Sequence, residues 1–219
     1  MTLPAGHPRL SKRPFSLEEL VADGIVHAVA LVAGLIAFAV LLAKVATSGD
    51  FGRVAAVAIY AAGFFLMFGF SLAYNVTPPS SLKWLLRRFD HASIYVMIAG
   101  TYTAFLATGA AGEWGLILLM LVWIGAAGGV ALKFFLPGRL DRLSILFFLV
   151  LGGAGIFALG PLSQGLPAAS IILVIAGGAT YVAGIGFYLW KSLQFHNAIW
   201  HGFVAGAAAF HFAAVATAG

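Results

Sequence analysis

The chain has 219 residues, of which 62% are hydrophobic and only 9% charged, and it carries a net charge of +5 and no cysteine. A soluble domain of this length cannot dress its surface with so few charged groups, so lipid is the solvent for most of the chain. The lack of cysteine excludes disulfides, thiolate metal sites and cysteine nucleophiles, which leaves any chemistry to His, Asp, Glu, Ser and amides. The basic residues stand at the edges of apolar runs rather than in a patch of their own. Their expected partner is therefore an anionic headgroup layer and not nucleic acid.

Seven apolar runs match the length a helix needs to cross about 30 Å of hydrocarbon. Residues 1–15 are expected to form a tail on the cytoplasmic side and residues 16–219 the membrane domain. Ser16 and Glu19 form a capping-box pattern, with Phe15 and Leu20 at the positions of a hydrophobic staple. A helix is thus predicted to begin at Leu17 and run into span one, 22–43. Glu18, Glu19 and Asp23 precede that run and no small-residue cleavage site follows it, so it reads as a retained span and not a signal peptide. Thr47 to Asp50 mark a turn before span two, 54–74, and Pro78 and Pro79 mark the next break. Leu82, Leu85, Leu86 and Phe89 then alternate with Lys83, Arg87 and Arg88, with Trp84 beside them. That pattern predicts a short helix lying in the headgroup layer before span three, 92–107. Spans four to seven are expected at 114–135, 143–160, 168–190 and 197–218, with breaks marked by Gly112-Glu113, by Pro137-Gly138 and by Pro161 through Pro167. Gly125 and Gly129, and the cluster of Gly152, Gly153 and Gly155, suit close helix packing. Trp84, Trp114, Trp190 and Trp200 stand near run ends and suit interfacial anchors.

The expected fold is thus all-α, a seven-transmembrane helical bundle. Helices are required because an open strand in lipid leaves backbone groups unpaired. Arg9, Lys12, Arg13, Lys83, Arg87, Arg88, Lys133, Arg139, Arg142 and Lys191 fall on one side and only Lys44 and Arg53 on the other. By the positive-inside rule the N-terminus is expected in the cytoplasm and the C-terminus outside, in a multi-pass protein of the inner (plasma) membrane. This orientation is opposite to that of G-protein-coupled receptors. A retinal pump is excluded because Lys191 precedes the last span instead of lying deep within it.

Ionisable groups inside lipid are costly, and their depths are informative. Span one brings Asp23 and His27 to the cytoplasmic end, span two Ser71 and Asn75, span three Asp90 and His91, and span seven His196, Asn197 and His201. A single polar site at that depth is the economical reading. Asp23 with His27, Ser71 with Asn75, and Asn197 with His201 each stand four apart, which lets each pair share a helix face. Asp23 with His27 also reads as a structural pair. His196 is rotated about 140° from His201 around the helix, and His211 lies about 15 Å beyond it, where a hydrogen-bonded core histidine is expected.

The segments SLEELVADGIVH, SLAYN, KWLLRRFDHASIYVMIAGTYTAFL and FHNAIWHGFV resemble the hemolysin III family, the bacterial branch of the progestin and adipoQ receptors. The resemblance spans the chain from about Ser16 onward and implies seven helices with the N-terminus inside. It also implies a zinc site built from a Ser-x-x-x-His pattern ending helix two, an Asp opening helix three and a His-x-x-x-His pattern in helix seven. Ser71, Asp90 and His201 match, with His201 as a metal ligand and Ser71 and Asp90 in catalytic positions. Asn75 and Asn197 stand where two ligand histidines are expected. An amide oxygen is a weak donor to zinc, so the site reads as degenerate, with the two asparagines hydrogen-bonded across helices two and seven. Asp23, His27, Asn75 and Asn197 are expected to line it.

The implied activity concerns membrane lipids, either sensing or adjusting the state of the bilayer. The alternative is a metal-dependent, ceramidase-like lipid amidase, in which Asp90 takes a proton from zinc-bound water and Ser71 steadies the oxyanion. A pore is the third reading, and no span carries the charged stripe it needs.

Overall fold

The computed structural model describes residues 15–106, 112–136 and 141–218. Most of the N-terminal tail, the turn at Pro137 and Gly138, and the basic residues Arg9, Lys12, Arg13 and Arg139 lie outside the described residues. Among those described, the chain is all-helical, a seven-helix bundle whose fifth span is built from several pieces. Its elements are α1 (Leu17–Ala46), α2 (Phe51–Val76), α3 (Ser81–Leu106), α4 (Gly112–Phe135), α5 (Asp141–Gly153), a 3-10 turn (Ala154–Ala158), α6 (Leu159–Gly165), α7 (Ala168–Leu189) and α8 (His196–Thr217). Span six is therefore α7 and span seven α8. Five of the helices, α1, α2, α4, α7 and α8, are long and apolar enough to cross a membrane.

α1 starts where its capping box dictates. Ser16 Oγ accepts from the Glu19 amide at 3.3 Å, and Glu19 Oε2 accepts from the Ser16 amide at 2.9 Å. The second Glu19 oxygen accepts from the Phe195 amide at 3.1 Å, where the backbone is left-handed with φ 59°. One carboxylate thus ties the start of α1 to the start of α8, and the Phe15 ring stacks on His196, with centroids 5.6 Å apart. Along α1 the buried residues are Glu19, Asp23, His27, Ala30, Gly34, Phe38, Leu41 and Val45, a single stripe at helical spacing. Val21, Ile25, Val29, Val32, Leu35 and Val40 face outward, as a lipid-solvated helix requires.

Neighbouring helices close into a ring, with α1 against α2 and α8, α2 against α3, α3 against α4, and α7 against α8. Small residues set the closest approaches. A Cβ on Gly63 would meet the Met97 backbone at 3.0 Å, and one on Gly100 would meet the Tyr60 Cα at 3.2 Å, so α2 and α3 touch backbone to backbone. Gly125, Gly129 and Gly155 accommodate Leu151, Tyr95 and Tyr102 in the same way. Gly152 and Gly153 do not, because a Cβ there meets nothing within 4 Å. The main core is aromatic: Phe38 packs edge-on against Tyr60 and Phe212 and tilted against Phe64.

Two elements differ from expectation. The amphipathic stretch after Pro79 and span three are one helix, α3, and not a headgroup-layer helix followed by a span. No proline interrupts this stretch and its first glycine is Gly100, so continuing the helix satisfies every backbone group, whereas a break would expose some of them in a membrane. The fifth span ends at Gly165 rather than near residue 160, and a 3-10 turn divides it. Three glycines weaken the helix there, and Pro161 has no amide hydrogen to give the preceding turn. Among the tryptophans, Trp114 and Trp190 are exposed as anchors should be, but Trp84 is buried and Trp200 is half-buried, and both face the interior cavity.

Candidate functional site

The buried stripe of α1 brings Asp23 and His27 against α8, and the last turns of α2 bring Ser71 and Asn75 to the same level. His201 is the hub. Its Nδ1 donates to Asp23 Oδ1 at 2.5 Å, and its Nε2 accepts from the Ser71 hydroxyl at 3.3 Å. The chain of hydrogen bonds continues, with Asn75 Nδ2 donating to Ser71 Oγ and Asn197 Nδ2 donating to Asn75 Oδ1, both at 3.4 Å. A directional relay therefore runs Asn197, Asn75, Ser71, His201, Asp23 across three helices. Asp90, from α3, lines the same cavity as Ser71 and His201. His27 is fully buried and donates through Nδ1 to the Asp23 carbonyl at 2.7 Å, and its ring centroid lies 4.4 Å from that of His201.

The structure thus gathers Asp23, His27, Ser71, Asn75, Asp90, Asn197 and His201 at one end of the bundle. His91 sits beside Asp90 at 3.9 Å. His211 lies apart, with its Nε2 on the Val174 carbonyl at 3.2 Å. His196 faces Phe15 instead of His201.

Sequence reasoning missed two lysines. In the sequence Lys83 reads only as a headgroup-layer charge, yet its Nζ donates to the carbonyls of Tyr74, Asn75 and Thr77 at 2.9, 3.3 and 2.7 Å. It caps α2 and fixes the turn that carries Asn75. Lys133 reads as an edge charge, yet it is 3% exposed and lines an interior cavity. Its helical stripe with Gly129 and Ala126, both buried, was the available signal.

The polar cluster opens into a cavity of about 1360 Å³ bounded mainly by α2, α3, the fifth span, α7 and α8, with His27 of α1 and Lys133 of α4 also on its wall. Its wall carries the basic side chains Arg87, Lys133 and Lys191 together with the apolar Met97, Phe105, Leu162 and Val204. Several lining residues are also on the outer surface. Leu149 and Ile156 on the fifth span and Ile175 and Val182 on α7 are 38%, 70%, 54% and 57% exposed. The cavity therefore reaches the lipid-facing side between these two spans.

The ligand positions the resemblance assigns to zinc do not fit that ion. Asn75 and Asn197 are hydrogen-bonded to each other, and of the three expected imidazoles only His201 is present. Neutral amides in place of two imidazoles leave too weak a donor set.

Comparison with known proteins agrees with the geometry. The sequence profile of the family described as Haemolysin-III related matches residues 15–212. The chain is 35% identical over 195 residues to a hemolysin-3 homolog of Bacillus subtilis, covering 89% of this chain and 92% of the relative. It is 34% identical over 196 residues to hemolysin-3 of Bacillus cereus, covering 90% of each. A more distant relative, the human monocyte to macrophage differentiation factor, is 28% identical over 167 residues, 72% of this chain and 67% of its own. With nearly its whole membrane part matched and its helices arranged as such a bundle requires, the chain belongs to the haemolysin-III-related family of multi-pass membrane proteins.

Proposed function

We propose that this protein binds a membrane lipid inside the bundle and serves to sense or adjust the state of the bilayer, with a zinc site of the expected composition lost. The observation that carries this reading is the single cavity that joins a polar cluster to an apolar lumen and reaches the lipid-facing surface. Its volume exceeds the roughly 300–1,000 Å³ of ordinary small-molecule pockets, which suits an acyl chain entering sideways. Arg87, Lys133 and Lys191 on its wall favour a head bearing negative charge. The apolar lining disfavours ion conduction.

An enzyme reading has one observation in its favour. The Ser71 hydroxyl is hydrogen-bonded to His201 and shares the same cavity with Asp90, as hydrolysis of a lipid amide would need. One experiment addresses both. Protein purified in mild detergent and analysed by lipid mass spectrometry is expected to retain intact lipid, and to release no fatty acid from an added lipid amide beyond the level of Asp90→Ala. Absence of any retained lipid contradicts the binding reading. Fatty-acid release that Asp90→Ala abolishes establishes the hydrolase instead.

The site's placement beneath the cytoplasmic leaflet rests on the charge asymmetry, and reporters test it. A C-terminal alkaline phosphatase fusion is expected to be active and a C-terminal green fluorescent protein fusion dark. The opposite pair of results would invert the bundle.

A further inference from the structure

The relay leaves two acceptors stranded. His27 donates its Nδ1 proton to the Asp23 carbonyl, which fixes the tautomer and turns a bare lone pair outward on Nε2. That Nε2 is buried and has no hydrogen-bond partner, and neither has Asp23 Oδ2, whose neighbour His27 Nδ1 lies 3.7 Å away, beyond hydrogen-bond distance. The two side chains are 0% and 3% exposed. Two buried acceptors without a donor constitute a cation's environment, because an unpaired acceptor in the interior costs its full desolvation. The carboxylate adds a negative charge inside the bundle, where charge is retained only with a counter-charge.

We infer that this chain holds a divalent metal ion, of the zinc class, between Asp23, His27 and His201, on the α1–α8 interface instead of the α2–α8 interface where Asn75 and Asn197 stand. One ligand atom from each of the three residues lies within 4.8 Å of the others. Bonds of about 2.0–2.2 Å to imidazole nitrogen and carboxylate oxygen hold tetrahedral donors about 3.3 Å apart. An ion held there widens the 2.5 Å Asp23 to His201 contact and draws the three side chains, whose ligand atoms already lie within 4.8 Å, to that spacing. The ion replaces the proton shared by His201 Nδ1 and Asp23 Oδ1. His201 then takes its other tautomer and donates from Nε2 to Ser71, which keeps the imidazole neutral. The Asp23 carbonyl already supplies His27 with the outer-shell hydrogen bond that metal-bound histidines require. Two imidazoles and a carboxylate are a borderline-soft donor set suited to zinc, and they leave one position for a small ligand. His27 and His201 both line the cavity, which provides the route of entry.

The test is elemental analysis of the full-length protein in lipid nanodiscs, stripped with chelator, reloaded with zinc sulfate and desalted. About one zinc per chain is expected, held equally by Asn75→Ala and Asn197→Ala and reduced at least about tenfold in His27→Gln and Asp23→Asn. X-ray absorption at the zinc edge of the unaltered protein, which needs no variant to fold, is expected to show two imidazoles and an oxygen ligand. No retained zinc overturns the inference. So does zinc that survives His27→Gln but is lost in Asn75→Ala or Asn197→Ala, and so does a spectrum with fewer than two imidazoles. Retention of lipid in the cavity is measured separately and does not depend on the ion.

Discussion

Asp23→Ala is expected to destabilise the bundle by roughly 3–5 kcal/mol, the usual cost of removing one partner from a buried charged pair. Asp23 accepts the His201 Nδ1 proton and lies on the stripe that packs α1 against α8. Alanine removes that acceptor and with it the ion pair that links these two helices. Asp23→Asn keeps an acceptor oxygen and is expected to lose less than half as much. The measurement is thermal unfolding in detergent, followed by the fraction remaining monodisperse, where the alanine variant should melt on the order of 10 °C lower. Equal melting of the two variants would show that the hydrogen bond to His201 contributes nothing.

Gly178→Trp is expected to empty the cavity without unfolding the protein. Gly178 lines the lumen, and a Cβ there would meet nothing within 4 Å. An indole grown from that position occupies space otherwise open to an acyl chain, so retained lipid should fall about tenfold or more, a loss of at least ~1.4 kcal/mol in affinity. Its neighbour provides the contrast. At Gly177 a Cβ would come within 2.4 Å of the His211 ring, so Gly177→Trp should abolish folding by overpacking. Unchanged lipid content in a folded Gly178→Trp protein would mean that the bound lipid lies elsewhere.

Much of this architecture is written locally. The length and spacing of apolar runs locate the spans, because a membrane allows little besides a helix of fixed length. Ser16 and Glu19 state the start of α1 outright, and the four-residue spacing of Glu19, Asp23 and His27 states which face is buried. The pairing of Asn75 with Asn197 could be expected because two amides at one depth satisfy each other. What periodicity does not carry is the choice among partners on different helices. Asp23 and Asp90 reach the same level, and only the packing of α1 against α8 makes Asp23 the partner of His201 Nδ1. The continuity of α3 was hidden because charged residues at its start imitate an end, although nothing there breaks a helix. The division of the fifth span was hidden for the opposite reason: its glycines read equally well as packing residues. The capping of α2 by Lys83 depends on a chain reversal at Pro78 and Pro79 that folds the lysine back over the helix end.

Lipid that enters the bundle should be trapped there by carbene labelling. A fatty-acyl probe bearing a diazirine, photoactivated in membranes that contain the protein, reports every residue an acyl chain touches. Adducts are expected on Met97, Phe105 and Val204, which are 3%, 6% and 6% exposed and face the lumen, in addition to those on the outer belt. Adducts confined to outward-facing residues such as Val29, Val32 and Leu35, with Met97, Phe105 and Val204 unlabelled, would contradict it.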